Sequence, residues 1–120
     1  MMQRTSWLLL AALHLAPALA LFGPSMLGRL YGVGRSDVSF PLLHHRAALF
    51  GVIVIVAVWA AFDPGVRRVA SVAVALSMLS FLLIWWTNGA PSSLRGIAVA
   101  DLCGLPVLAF AAWKAFAGPA

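Results

Sequence analysis

The chain has 120 residues, of which 63% are hydrophobic and 9% charged, whereas a soluble domain carries about 25% charged residues. So short a chain cannot hide that much apolar surface in one core, so its solvent is lipid. The net charge of +5 comes from eight basic residues against three acidic ones; lying at the edges of apolar runs, the basic residues argue against nucleic acid and for lipid headgroups as their partner.

A hydrocarbon core of roughly 30 Å needs about 20 apolar residues per helix. Four such runs are legible, with no room left for a separate soluble domain, so residues 1–120 form a single membrane domain. The first run, about residues 4–23, contains His14 and Pro17. Arg4 and Ala18-Leu19-Ala20 resemble the basic start and cleavage site of a secretory signal. The run continues through Phe22 toward Pro24-Ser25, however, and a first transmembrane helix is expected.

Residues 24–41 form the longest connection, punctuated by Gly28, Gly32, Gly34 and Pro41. Met26, Leu27, Leu30 and Tyr31 have helical spacing, which predicts a short interfacial helix. A second span is expected over 42–62 and ends at the turn signal Asp63-Pro64-Gly65. The third span, 68–87, is the least interrupted and leads into the loop Asn88-Gly89-Ala90-Pro91-Ser92-Ser93. The fourth covers 94–116 and contains Asp101, Cys103, Gly104 and Pro106. The lone Cys103 reads as a small buried hydrophobe. The fold expected is an all-α, up-down bundle of four transmembrane helices with a short interfacial segment between the first two.

Up-down order places Trp7, Trp59 and Trp113 at one interface and Trp85, Trp86 and Tyr31 at the other, as an aromatic belt requires. The positive charges tie, with Arg4, Arg67, Arg68 and Lys114 on the side of the termini and Arg29, Arg35, Arg46 and Arg95 opposite. Discounting Arg46, which sits within a span, turns the termini toward the cytoplasm.

Arg46 and Asp101 both lie about 7–10 Å below the same surface at 1.5 Å per residue. An isolated charge in hydrocarbon costs at least about 2.5–3.5 kcal/mol, so an Arg46–Asp101 ion pair is expected, joined by His45. Three readings follow: the pair fixes helix packing, it lines a ligand pocket or proton route, or Arg46 snorkels to the surface. His14 lies deeper, where it either bonds backbone near Pro17 or relays protons. Gly96, Ala100 and Gly104 form a small-residue ladder on the fourth helix, and Ala70, Ala73, Ser77 and Ser80 a stripe on the third. Both suit close helix contact, within the bundle or in a homodimer.

No HExxH, phosphate loop, Cys pair, nucleophile elbow or Glu-x-x-His pattern occurs, so neither a metal nor a cofactor is expected and an enzyme ranks last. The leading expectation is a non-enzymatic membrane protein that binds a small amphipathic ligand, lipid or quinone, or a larger membrane partner, beside Arg46 and Asp101. The alternative is a small homo-oligomeric transporter or channel for cations, protons or drugs.

Leu30-Tyr31-Gly32, His45-Arg46-Ala47-Ala48-Leu49-Phe50-Gly51, Ala60-Ala61-Phe62-Asp63-Pro64, Ser77-Met78-Leu79-Ser80-Phe81 and Ala98-Val99-Ala100-Asp101 follow one another in that order. In these residues the chain resembles a family of small bacterial four-helix membrane proteins, loosely DoxX-like, over roughly residues 26–110. The resemblance implies four spans and an inner-membrane location, singles out His45, Arg46 and Asp101, and brings no activity. Members are often called phosphopantetheine adenylyltransferases, but the His-x-Gly-His site of the soluble enzyme of that name does not occur here.

Overall fold

The computed structural model describes residues 1–118. It is all-helical, with no strand among the described residues: α1 (Met2–Leu19), α2 (Met26–Tyr31), α3 (Ser39–Phe62), α4 (Arg67–Thr87) and α5 (Arg95–Ala117). Single 3-10 turns, Pro64–Val66 and Ser92–Leu94, lead into the last two helices.

The boundaries follow local chemistry. Pro17 lacks the N–H that would bond the Leu13 carbonyl, and α1 ends two residues later. Tight turns then close Leu21 onto Ala18 and Phe22 onto Leu19, so the helix stops short of the expected residue 23. The expected short helix is present as α2, stopped by Gly32 at φ +68, the left-handed geometry glycine tolerates best. Pro41 sits in the first turn of α3, where a missing N–H costs nothing, so α3 starts before the expected residue 42. Asp63 makes the next turn: Oδ1 accepts the Gly65 N–H at 2.8 Å and Oδ2 the Trp59 indole N–H at 3.2 Å.

Three segments, Ser39–Phe62, Pro64–Thr87 and Ser92–Ala117, are long and apolar enough to cross a membrane. Only 22%, 28% and 22% of their most apolar stretches are buried within the chain. The remaining apolar surface includes Ile55, Leu76, Leu83 and Leu102 and faces outward, as lipid-exposed helices require. α1 is not among the three, because Gln3, Arg4 and His14 dilute its eighteen residues. The molecule measures 50 × 29 × 18 Å, enough in its long direction to traverse a bilayer of roughly 40–45 Å with headgroups.

Packing is arranged around α1. Trp7, Leu10 and Ala11 fill the space against Ala57, Ala60 and Ala61 of α3, Ala70, Val74 and Met78 of α4, and Leu108 and Ala111 of α5. The alanines let the backbones approach so that the larger α1 side chains fit between them. α3 packs most closely on α1, α1 also on α5, and α5 on α4, while α3 and α4 touch less than any of these pairs although one short turn joins them. Polar bonds lock one end. Arg67 donates from Nε to the Ala60 carbonyl at 2.8 Å and from another nitrogen to Gln3, and Arg68 reaches the Ala115 carbonyl at 3.2 Å.

Several expectations are corrected. Trp7 does not present its ring to a headgroup surface; it is fully buried, and among the described residues its indole N–H has no partner. Trp59, Trp86 and Trp113 remain exposed, as the aromatic belt expects. Cys103 is exposed on the outer face of α5, where a thiol is as well placed against lipid as in a core. The ladder on α5 is only partly a packing device. A Cβ on Gly104 would lie 2.8 Å from Met78 Cε and 3.1 Å from Leu13 Cδ2, whereas one on Gly96 would meet nothing.

Candidate functional site

The end of the molecule opposite Arg67 carries two cavities that share one wall, Phe50. Where α3 and α4 diverge, a groove of about 730 Å³ opens sideways, lined chiefly by apolar residues such as Leu49, Ile53, Leu76 and Ile84. Arg46 is its one charged lining residue. The guanidinium lies over three rings, 5.1 Å from Phe50, 5.3 Å from Phe81 and 6.0 Å from Tyr31. Cation–π contacts contribute about 0.5–2 kcal/mol each, more when desolvated, so the rings hold the cation without neutralising it.

The other polar groups of the groove are already satisfied. Ser80 donates to the Leu76 carbonyl one turn back, and Asn88 Nδ2 to the Ile84 carbonyl at 2.7 Å. Trp85 Nε1 donates to the Pro91 carbonyl at 3.1 Å. Local bonds of this kind spend donors within their own helix or turn. Arg46 is left as the group with unspent charge.

On the other side of Phe50 is a cavity of about 310 Å³ between α1, α2 and α5, whose lining includes His14, Arg29, Gly96, Ala100 and Asp101. His14 is 2% exposed. Its Nδ1 lies 2.9 Å from the Leu10 carbonyl, which can only accept, so Nδ1 carries the proton. Its Nε2 is then the acceptor for the Ser77 hydroxyl at 3.4 Å. Of the two expected roles for His14, the structure shows the backbone bond, to Leu10 rather than to the Leu13 carbonyl left free by Pro17. Ser77 meets α1 through this contact as well as lining the groove.

The expected ion pair is not formed. Arg46 turns to its ring cage, and among the described residues no basic side chain bonds the Asp101 carboxylate. Equal depth fixes only one coordinate; the direction of each side chain around its helix sends Arg46 to the groove and Asp101 to the inner cavity. Tyr31 stands within reach of both charges. Burial pushes its phenol above the usual range, Arg46 pulls it back and Asp101 adds to the rise, so at neutral pH it is a neutral hydroxyl. His45 is exposed and lines neither cavity; neighbouring residues on a helix point about 100° apart. His44 instead is half-buried and donates from Nε2 to the Leu21 carbonyl at 2.9 Å, tying α3 to the turn after α1.

No protein-family model, curated protein or solved structure matches the chain. What the site can do is therefore set by its own groups. Among the described residues no three His, Cys, Asp or Glu side chains gather as metal ligands. Sequence reasoning singled out Arg46 and Asp101 but missed Phe50, Tyr31 and Phe81 around the cation and Arg29 at the inner cavity. Phe50 had a signal: four residues after Arg46, it must share its helix face.

Proposed function

We propose that the protein is a non-catalytic integral membrane protein that holds an anionic amphipathic molecule in the α3–α4 groove, its head on Arg46 and its chain along the apolar walls. One observation carries this reading. A half-buried cation caged by three rings, with no carboxylate in contact among the described residues, faces a mostly apolar groove of about 730 Å³. Burial of a cation is costly unless an anion or strong hydrogen-bond acceptors meet it, and a phospholipid phosphate or a fatty-acid carboxylate supplies both.

In this reading α1 is a fourth crossing and the helices run up and down. Supporting it, α1 lies along α3 and α5, and its polar start at Gln3 meets the start of α4 at Arg67. The family resemblance implies the bacterial inner membrane, and the charge count with Arg46 discounted places the termini in the cytoplasm. The alternative of a small homo-oligomeric transporter or channel for cations, protons or drugs, assembled through the α5 ladder, has less support, because Met78 and Leu13 already occupy the approach to Gly104.

The test is native mass spectrometry of the detergent-purified protein with phosphatidylglycerol, oleate and phosphatidylethanolamine. The first two distinguish a phosphate from a carboxylate head, and the third is the zwitterionic control. The wild type retains an anionic species preferentially, and Arg46→Ala weakens that retention about tenfold, the scale of one charge-assisted hydrogen bond. Arg46→Lys retains part of it. Equal retention of all three lipids, or preferential retention of a neutral quinone, would overturn the anionic assignment.

A further inference from the structure

Asp101 presents a problem that the α3–α4 groove does not solve. The residue is 8% exposed, and that remaining exposure opens into the inner cavity that its side chain lines. No described residue donates a hydrogen bond to the carboxylate. The neighbouring groups cannot easily do so. His14 spends its one N–H on the Leu10 carbonyl and offers only an acceptor at Nε2. Arg46 lies in its ring cage on the far side of Phe50 and makes no bond to Asp101. Arg29, on α2, is exposed and lines the cavity without bonding the acid.

A carboxylate so placed demands a positive or hydrogen-bond-donating partner. The cavity indicates which kind. An inorganic divalent ion needs several hard ligands, and here one carboxylate stands among apolar walls that include Leu13, Leu30, Phe50 and Ile97. Those walls suit the body of an organic molecule, and about 310 Å³ is the lower end of the ~300–1,000 Å³ range of small-molecule sites. The Phe50 ring adds a face that attracts cations. The positive charge of Arg29 in the same lining opposes any cation and a dication most, which favours a single charge on the ligand.

We propose that the cavity between α1, α2 and α5 is a second binding site, for a monovalent organic ammonium with an apolar body, whose charged nitrogen pairs with Asp101. It is independent of the groove and opposite to it in charge preference. Phe50 separates an anion-seeking cation from a cation-seeking acid.

The experiment uses the full chain in nanodiscs of neutral lipid, with benzylamine as probe and saturation-transfer NMR as readout; toluene and benzoate are the neutral and anionic controls. Saturable benzylamine binding is expected in the wild type, stronger than that of either control. Asp101→Asn keeps the shape and loses the charge, and should weaken benzylamine at least about tenfold while toluene binding is unchanged. Ala100→Phe fills the cavity from its wall without touching the charge and should exclude benzylamine and toluene alike, while the unchanged toluene binding of Asp101→Asn guards against a variant that fails to fold. Arg46→Ala should leave benzylamine binding unchanged or stronger, so failure of the groove assignment is separable from failure of this one. Benzylamine bound no better than toluene, or bound equally by wild type and Asp101→Asn, would refute the site.

Discussion

Arg46 and Asp101 show how a charge in an apolar chain announces itself while hiding its partner. Their shared depth follows from counting residues at a fixed rise. Their mutual orientation does not, because each direction around a helix axis depends on how that helix is rotated against its neighbours. Arg46 therefore meets Phe50, Phe81 and Tyr31, and Asp101 a cavity beside His14. Gly104 is the small residue on which packing depends most directly. Alanine there gains up to about 1 kcal/mol in helix propensity, against the displacement of the flexible end of Met78 and a tight contact with Leu13. Gly104→Ala should therefore lie within about 1 kcal/mol of the wild type, whereas Gly104→Leu overpacks three helices and costs about 1–3 kcal/mol. Thermal unfolding in detergent separates them: a lower midpoint for leucine and a nearly unchanged one for alanine. A leucine variant as stable as the parent would show that α1 and α4 can part at no cost.

At the level of elements, the turns were legible because their chemistry is local. Asp63 followed by Pro64 and Gly65 stops α3, and its carboxylate serves the turn's own N–H. Gly32 stops α2 for a backbone reason. Less legible was Arg67, which appeared in the chain as one of several edge charges. In the structure it donates to the carbonyls of Ala60, at 2.8 Å, and Ala61, at 3.4 Å, both in the last turn of α3, and to Gln3 of α1. Carbonyls at a helix end lack intrahelical donors, and a cation there also opposes the negative end of the helix dipole. Arg67→Met keeps the stem but removes these bonds, and should destabilise by about 1.5–3 kcal/mol, a visibly lower midpoint in the same melting assay. Gln3→Ala should lower it less, since two of the three bonds survive. Equal midpoints for Arg67→Met and wild type would mean that water or headgroups serve those carbonyls as well.

For the whole molecule the decisive feature is the order of neighbours. α3 and α4 follow one another in the chain but pack more loosely on each other than α3 does on α1 or α4 on α5, since α1 is inserted against α3 and α5 closes on both α1 and α4. The gap is the groove. Whether α1 also crosses the bilayer is a question of sidedness. In a Cys103→Ala background, single cysteines at Thr5, Ser36, Pro64 and Ser92, all exposed, report it through a membrane-impermeant maleimide. Four crossings place Thr5 and Pro64 on one side and Ser36 and Ser92 on the other. Labelling of Thr5 from the same side as Ser36 would leave α1 on the surface and three crossings in the membrane.

The chain by itself determined the all-helical class, the apolar runs and the turns between them, since hydropathy, proline, glycine and Asx chemistry act over a few residues. It also marked Arg46, Asp101 and His14 as charged or titratable groups that apolar surroundings must accommodate. Only the tertiary structure decided that Trp7 is buried, that His45 points away, and that Arg46 and Asp101 serve different cavities. The physical reason is that rotation about each helix axis is set by packing across the chain, here by the alanine faces of α3, α4 and α5 closing on the large side chains of α1. No spacing along a single helix records that.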